Sequence, residues 1–509
     1  MSEVFVATDL LLQANAQTGE LGEAIRIAFN LIVDPVNFGL VGVARLLGLI
    51  LGIFPGVGGA ITLALLIPVT FSLDTNVSIM ILAAALGGTN FGGSVTAILL
   101  NTPGAAPNAA TVLDGYPLAR EAKGGMAIAA SAVSSAGGAL LGLLILLLSV
   151  PFIRPVTLAF GVTEFFWLAV LGLTIIAVAT TGSVLNDLIA GGVGLLVGFH
   201  GFSSVTGLPR FTFELNYLQG GIPLIPVLIG LFAIAEMINL VGGGDTIAQR
   251  GTVEGGRIEG IAAVVRNWKT FLQSAMIGWT VGVIPGVGGT VANFISYLQA
   301  KQRDSDPDSF GKGNIKGVIA SEASNDAKDG GSMLPTLGLG IPGSASTAVL
   351  LGAFVLQGVT PGPLLFQENL QILFIITFAL IISNILTSAV GLLSAECLAK
   401  LTEVDIASLA PVVIVVSLLG AFVFRNSFGD VVIAVIFGLI GFLMMKFDFS
   451  RISVIIALVL GTLAERSFTQ SLQISRGDYG VFVSRPLSLL LIVICIGSLL
   501  LPVYRARSG

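Results

Sequence analysis

The chain runs to 509 residues with a mean hydropathy of +0.97, 54% hydrophobic residues and only 10% charged ones. A soluble domain carries about 25% charge, so this composition excludes a soluble enzyme or a nucleic-acid-binding protein and calls for helices that satisfy their own backbone in lipid. The formal net charge of −5 decides less than where Lys and Arg fall, while 65 glycines, against roughly 35 at the usual 7%, point to close helix packing and to unwound backbone.

The N-terminal segment 1–36 opens with Glu3 and Asp9 and no basic run, so it does not read as a signal peptide; residues 20–33 alternate as an interfacial amphipathic helix does. A first membrane repeat follows over 37–242, then a polar cytoplasmic linker at 243–269, a second repeat at 270–503 and a short tail at 504–509. Apolar stretches predict spans near 79–100, 126–150, 156–180, 184–200, 222–242, 370–396, 406–424, 428–445, 452–464 and 486–503. With the interrupted segments this gives about ten to twelve crossings. His200 is the only histidine, which excludes a histidine metal cluster, and Cys397 and Cys495 are isolated in apolar surroundings. Nothing matches the phosphate-binding GxxxxGK[ST] pattern, so the chain itself hydrolyses no ATP.

The repeat shows in three motifs kept in order. Pro55-Gly56-Val57-Gly58-Gly59 returns as Pro285-Gly286-Val287-Gly288-Gly289. Asn90-Phe91-Gly92-Gly93-Ser94 is echoed by Asn325, Asp326 to Asp329, and Gly330-Gly331-Ser332. Thr102-Pro103-Gly104 is echoed by Ile341-Pro342-Gly343. Basic residues (Arg250, Arg257, Arg266 and Lys269 before the second PGVGG, Lys301, Arg303, Lys312 and Lys316 after it) place that hairpin's ends in the cytoplasm. The first PGVGG lies between Asp34 and Asp74 without outer bases, so its hairpin is expected to enter from the other side. The expected fold is an all-α polytopic membrane protein in two inverted repeats with re-entrant hairpins and broken helices, compatible with an elevator-type movement.

Proline lacks a backbone donor and glycine admits positive φ, so PGVGG interrupts a helix. A single copy reads equally well as a packing kink. Two copies in corresponding positions favour a binding site, because broken segments at membrane depth survive where they line a cavity, and the helix start behind each one offers N–H groups to an anion. The candidate substrate-binding residues are Gly56, Gly58, Gly59, Ser94, Asn101, Thr102, Pro103, Gly104, Gly286, Gly288, Gly289, Ser332, Pro342, Gly343 and Ser344. Asn90, Asn325, Asp326 and Asp329 are the coupling-ion candidates, since an intramembrane carboxylate by default marks ion handling. The bland reading of 321–331 is a solvated loop, with Glu322 and Asp329 ranking below Asp326. Glu164, Asp187, Glu236 and Glu396 read as interfacial. No cofactor is called for beyond sodium as a coupling ion.

The repeated PGVGG together with residues 87–120 and 321–354 resembles the large membrane subunit of the tripartite tricarboxylate transporters, over roughly 37–500. The resemblance implies a prokaryotic plasma-membrane secondary transporter, driven by sodium or protons, that takes up di- and tricarboxylates such as citrate. The implied partners are a small four-helix membrane subunit, an extracytoplasmic solute-binding protein and the lipid bilayer; a homo-oligomer is compatible with it. The matching positions are both PGVGG motifs, Asn90 to Ser94, Asn101 to Gly104, Asn325 to Ser332 and Pro342 to Ser344. Two other classes compete: an intramembrane metal-dependent enzyme using Asp326 and Asp329, and a passive anion channel. The first repeat has no carboxylate pair, which weighs against the enzyme. Pairing of motifs within one chain favours alternating access over a channel.

Overall fold

The computed structural model describes residues 19–54, 56–176, 184–203, 207–243, 256–285, 288–401 and 406–508. Pro55, Gly286, Val287 and much of the expected linker lie outside these residues, as do the first 18.

Helix α1 (19–33) leads into α2 (Pro35–Ile53), whose start is set by local chemistry: Asp34 accepts from the amides of Val36 and Asn37 at 3.0 and 3.1 Å, and Pro35 occupies the first turn, where no donor is missed. The first half continues through α3 (Gly59–Thr70), α4 (Thr75–Leu100), α5 (Ala109–Arg120), α6 (Gly124–Leu158), α7 (Val162–Ile176) and α8 (Val184–Gly198). A two-residue antiparallel pair, Gly201–Phe202 with Pro209–Arg210, precedes the short helix α9 (Asn216–Gln219). Helix α10 (Leu224–Leu228) then passes through a π-helical turn into α11 (Ala235–Gly243).

The second half comprises α12 (Arg257–Arg266), α13 (Trp268–Gly282), α14 (Gly288–Arg303), α15 (Ile315–Leu339), α16 (Ala345–Leu356), α17 (Leu365–Glu368), α18 (Leu370–Leu401), α19 (Ile406–Arg425), α20 (Phe428–Lys446), α21 (Arg451–Ile474) and α22 (Pro486–Ser508). Six of the described helices are long and apolar enough to span a membrane, and seven shorter apolar helices accompany them. The protein is an all-α polytopic membrane protein.

Helix α15 rules out the bland alternative for 321–331, a solvated loop. It is one continuous helix, buried from Gly317 to Met333 although it carries Glu322, Asp326, Lys328 and Asp329. Hydropathy cannot find such a span, because its polar groups face protein, not lipid. Helices α6, α13 and α14 cover it, as α2 and α18 cover α4.

Both halves use the same close contacts. A Cβ on Gly48 or Gly52 of α2 would strike the backbone of Ala85 or Thr89 on α4. A Cβ on Gly278 or Gly282 of α13 would likewise strike Ser324 or Lys328 on α15. Backbones this near require residues without side chains at the crossing. The long helices that follow are exchanged: α6 of the first half packs on α15, with Gly138 and Gly142 against Ala323 and Ala327, and α18 of the second half packs on α4, where Ser383 Oγ donates to the Ala84 carbonyl at 2.6 Å. Two further groups of helices pack outside this centre, α7, α8, α21 and α22 in one and α10, α11, α19 and α20 in the other, and they meet where α20 contacts α21 and Arg451 of α21 reaches Glu236 of α11.

Several acids expected at interfaces are buried in these outer groups and paired. Glu164, with no exposed surface, meets Arg485 at 2.6 Å and Ser488 at 2.8 Å; Glu236 meets Arg451 at 3.1 Å. Asp187, 7% exposed, caps the amide of Ser450 at 3.2 Å. The side chain of Glu396 lies outside the described residues.

Candidate functional site

Each PGVGG motif ends one helix and starts another. Helix α2 stops at Ile53 and α3 begins at Gly59; between them Gly56 takes φ +82°, open to glycine at no steric cost. Helix α13 stops at Gly282, α14 begins at Gly288, and Gly288 takes φ +74°. The cap residue Gly58 has no side chain to accept from the first turn of α3, whose leading amides are left for other acceptors.

The two helix starts reach across the molecule to the other half. A Cβ on Gly59 would stand 2.6 Å from Ser346 Oγ, just past the second Pro-Gly motif, and 3.3 Å from Thr89 Oγ1. A Cβ on Gly289 would stand 3.3 Å from Pro107, just past the first Pro-Gly motif, and 2.5 Å from Lys328 Cδ. The Pro-Gly motifs close on their own long helices: the Gly104 amide donates to Gly93 at 3.2 Å, and Gly343 lies against Ser332, leaving 2.6 Å between a Cβ there and the serine Cβ.

Between these breaks lies a polar centre. Asn90 Nδ2 of α4 donates to Asp326 Oδ1 at 2.9 Å and Asp329 Oδ2 at 2.7 Å on α15, and Lys328 Nζ meets Asp329 Oδ1 at 2.6 Å. Asp326 is 1% exposed and its Oδ2 has no partner. Of the four coupling-ion candidates, the structure brings Asn90, Asp326 and Asp329 together. The matched contacts nevertheless realign the repeat: Gly92 packs on Leu49 as Gly331 packs on Trp279, which makes Asp329, not Asn325, the counterpart of Asn90. Asn325 takes no part in this centre's hydrogen bonds; both polar atoms of its buried side chain lack a partner.

One turn before Asp326, Glu322 carries a second set of contacts. Its Oε2 accepts from Ser94 at 2.7 Å and from Ser131 and Ser135 at 3.0 Å each, while its Oε1 accepts from Thr111. Asn108 donates to Ser94 Oγ at 2.9 Å, so the single proton of Ser94 is free to point at the glutamate. Thr111, Ser131 and Ser135 are not among the sequence candidates, and Glu322, which the sequence places below Asp326, is the residue that gathers them. The available signal was spacing: Glu322, Asp326 and Asp329 recur at the three- and four-residue steps that share one helix face, and Ser131 and Ser135 do the same on α6.

The remaining candidates are peripheral to both sets. Asn101 is exposed at the end of α4 with φ +57°, and Thr102 donates to the Leu100 carbonyl at 3.2 Å. Pro103 is half-buried and Pro342 buried within the two breaks. Ser344 caps α16, exchanging hydrogen bonds with Thr347. Among the described residues no group of three His, Cys, Asp or Glu side chains could hold a metal ion.

Residues 38–456 match a family described as the tripartite tricarboxylate transporter TctA family. Among curated proteins, the chain is 33% identical over 497 residues to an uncharacterized 52.8 kDa protein in the TAR-I ttuC' 3' region of Agrobacterium vitis, covering 95% of this chain and 97% of that one. It is 31% identical over 233 residues to an uncharacterized protein in the TAR-II ttuC' 3' region of the same organism, covering 45% of this chain and 96% of that protein. No solved structure matches.

Proposed function

The chain belongs to the tripartite tricarboxylate transporter TctA family, and on that premise we propose that it imports small organic anions, di- and tricarboxylates such as citrate, by coupling them to an inward sodium or proton gradient. Membership makes it the large membrane subunit of such a transporter, a multi-pass protein of the bacterial plasma membrane, and not an enzyme. Its partners in this reading are a small four-helix membrane subunit and an extracytoplasmic solute-binding protein that hands over the substrate.

The observation that carries the substrate class is the pair of helix starts behind Gly58 and Gly288, each set against the opposite half. Such ends offer N–H groups and a positive dipole to a carboxylate. Gly56, Gly58, Gly59, Gly286, Gly288, Gly289 and the Pro-Gly residues Pro103, Gly104, Pro342 and Gly343 would shape the substrate pocket. Asn90, Asp326 and Asp329 would sense the driving ion. Halves that share a centre and repeat their contacts suit alternating access, in which a motif-bearing bundle moves against the outer helices.

The test is uptake of radiolabelled citrate into proteoliposomes holding both membrane subunits, with the binding protein outside. Saturable uptake that needs an inward sodium or proton gradient is expected. Flux that is independent of any gradient and does not saturate would assign the protein to passive conduction instead.

A further inference from the structure

We propose that Glu322 and the hydroxyl groups gathered around it form a binding site for a sodium-sized monovalent cation. This rests on the transporter reading for its purpose, but its chemistry stands on the side chains themselves.

Four helices converge there: Ser94 from α4, Thr111 from α5, Ser131 and Ser135 from α6, and Ser321 and Glu322 from α15. Ser321 Oγ lies 3.0 Å from Thr111 Oγ1 and completes the ring. Glu322 and all five hydroxyl residues are at most 1% exposed. Their common feature is oxygen. An ionised carboxylate only accepts, whereas each hydroxyl holds one proton and two lone pairs and can turn either toward a neighbour. In the arrangement seen, Ser94, Thr111, Ser131 and Ser135 donate to the carboxylate, while Ser321 Oγ lies within hydrogen-bond distance of the Gly317 and Val318 carbonyls and of Thr111. Rotation of those O–H bonds would present one charged and several neutral oxygens to a hard cation, the donor set that such ions prefer.

Charge balance calls for that cation. Three carboxylates, Glu322, Asp326 and Asp329, are buried along one face of α15, and Lys328 is the one cation that the described residues set against them, at Asp329. Glu322 has hydroxyl partners but no positive one. A buried charge without a counter-charge is strongly unfavourable. Asp326, one turn along the same face, is 1% exposed and lies close enough to Ser135 for that hydroxyl to act on its carboxyl too, yet its Oδ2 makes no hydrogen bond of its own. That atom is a separate mark of a missing positive ligand beside the ring. A single carboxylate within the ring balances one charge, which favours a monovalent ion over a divalent one. A proton needs one acceptor and gives no reason for five hydroxyls.

The contacts also place the site for coupling. Ser94 and Asn108 tie the ring to Asn90, since Asn108 Nδ2 donates to the Asn90 carbonyl at 3.1 Å while the Asn90 side chain holds Asp326 and Asp329. An ion at Glu322 would therefore fix α4, α5, α6 and α15 against one another, joining both halves of the chain.

The test is equilibrium binding of radioactive sodium to the purified full-length protein in detergent, with thermal unfolding in sodium chloride against choline chloride at equal ionic strength, at two pH values. Saturable binding and a sodium-dependent rise in the unfolding temperature are expected. Glu322→Gln should weaken sodium binding by at least the 10–100-fold that even outer-shell losses cost metal sites, roughly speaking. Ser131→Ala combined with Ser135→Ala, which removes two ligands with little change of volume, should weaken it several-fold, and the exposed Glu121→Gln should leave it unchanged. Absence of saturable sodium binding in the unaltered protein would overturn the proposal, as would unchanged affinity in the Glu322→Gln and double-serine proteins. Unfolding that responds to pH and not to sodium would also overturn it, in favour of a proton site. Binding is read without transport, so gradient-driven citrate uptake by a protein that binds no sodium would reject this site and leave the transporter reading intact.

Discussion

Replacing Asn90 by alanine removes the one side chain that bridges Asp326 and Asp329. The two hydrogen bonds, 2.9 and 2.7 Å, go to buried carboxylates, and a hydrogen bond to a charged group contributes about 1.5–3 kcal/mol. Losing both should cost roughly 3–6 kcal/mol. The expected result is therefore an unfolding temperature in detergent that falls by several degrees, together with loss of citrate uptake. An unfolding temperature matching that of the unaltered protein would refute the bridged centre altogether.

Gly142→Val should lower the unfolding temperature and uptake, at about 1–3 kcal/mol, because its new side chain meets the backbone of Ala327; Gly192→Val, with no atom within 4 Å of its Cβ, should do neither. Arg485→Leu leaves Glu164 buried without its cation and should cost about 3 kcal/mol, the low end for a broken buried pair because the arginine is half-exposed; Glu164→Gln in the same protein should restore much of it, as thermal unfolding will show. In the 304–314 loop, burial raises the Asp304 carboxyl, but the hydrogen bond to Lys316 and the Asp306 amide outweigh it and hold the group below the usual value. A depressed carboxyl stabilises above its unfolded pKa and loses that contribution as pH falls through the folded one, so Asp304→Asn should lower the unfolding temperature at pH 7 and matter progressively less as the solution is acidified past the ordinary aspartate range.

Much of the architecture was legible in the residues. The two PGVGG motifs mark helix breaks because proline and glycine act through the backbone alone, and local chemistry needs no tertiary context. Asp326 and Asp329 stand out by cost, since acids in an apolar chain are rare. What escaped depended on packing between distant segments. Helix α15 is absent from the predicted spans because its polarity is judged against lipid, while its surroundings are α6, α13 and α14. The partners of Glu322 are serines and a threonine 187 to 228 residues away, and hydroxyls in an apolar helix give no signal until the helix is set beside an acid. The repeat was legible but slipped by several residues at Asn325, where composition matched and contact geometry did not.

The exchange of α6 and α18 between the halves bears on how the chain is made. When synthesis has reached the end of α11, the groove of α4 that receives Ser383 and the small residues of α6 that receive α15 both await helices still to be translated. Insertion of the first half alone should thus yield a protease-sensitive intermediate, one that becomes resistant only after the ribosome has delivered α18. Residues 19–243 expressed by themselves should be short-lived in the membrane, and co-expression with the remainder of the chain should rescue them.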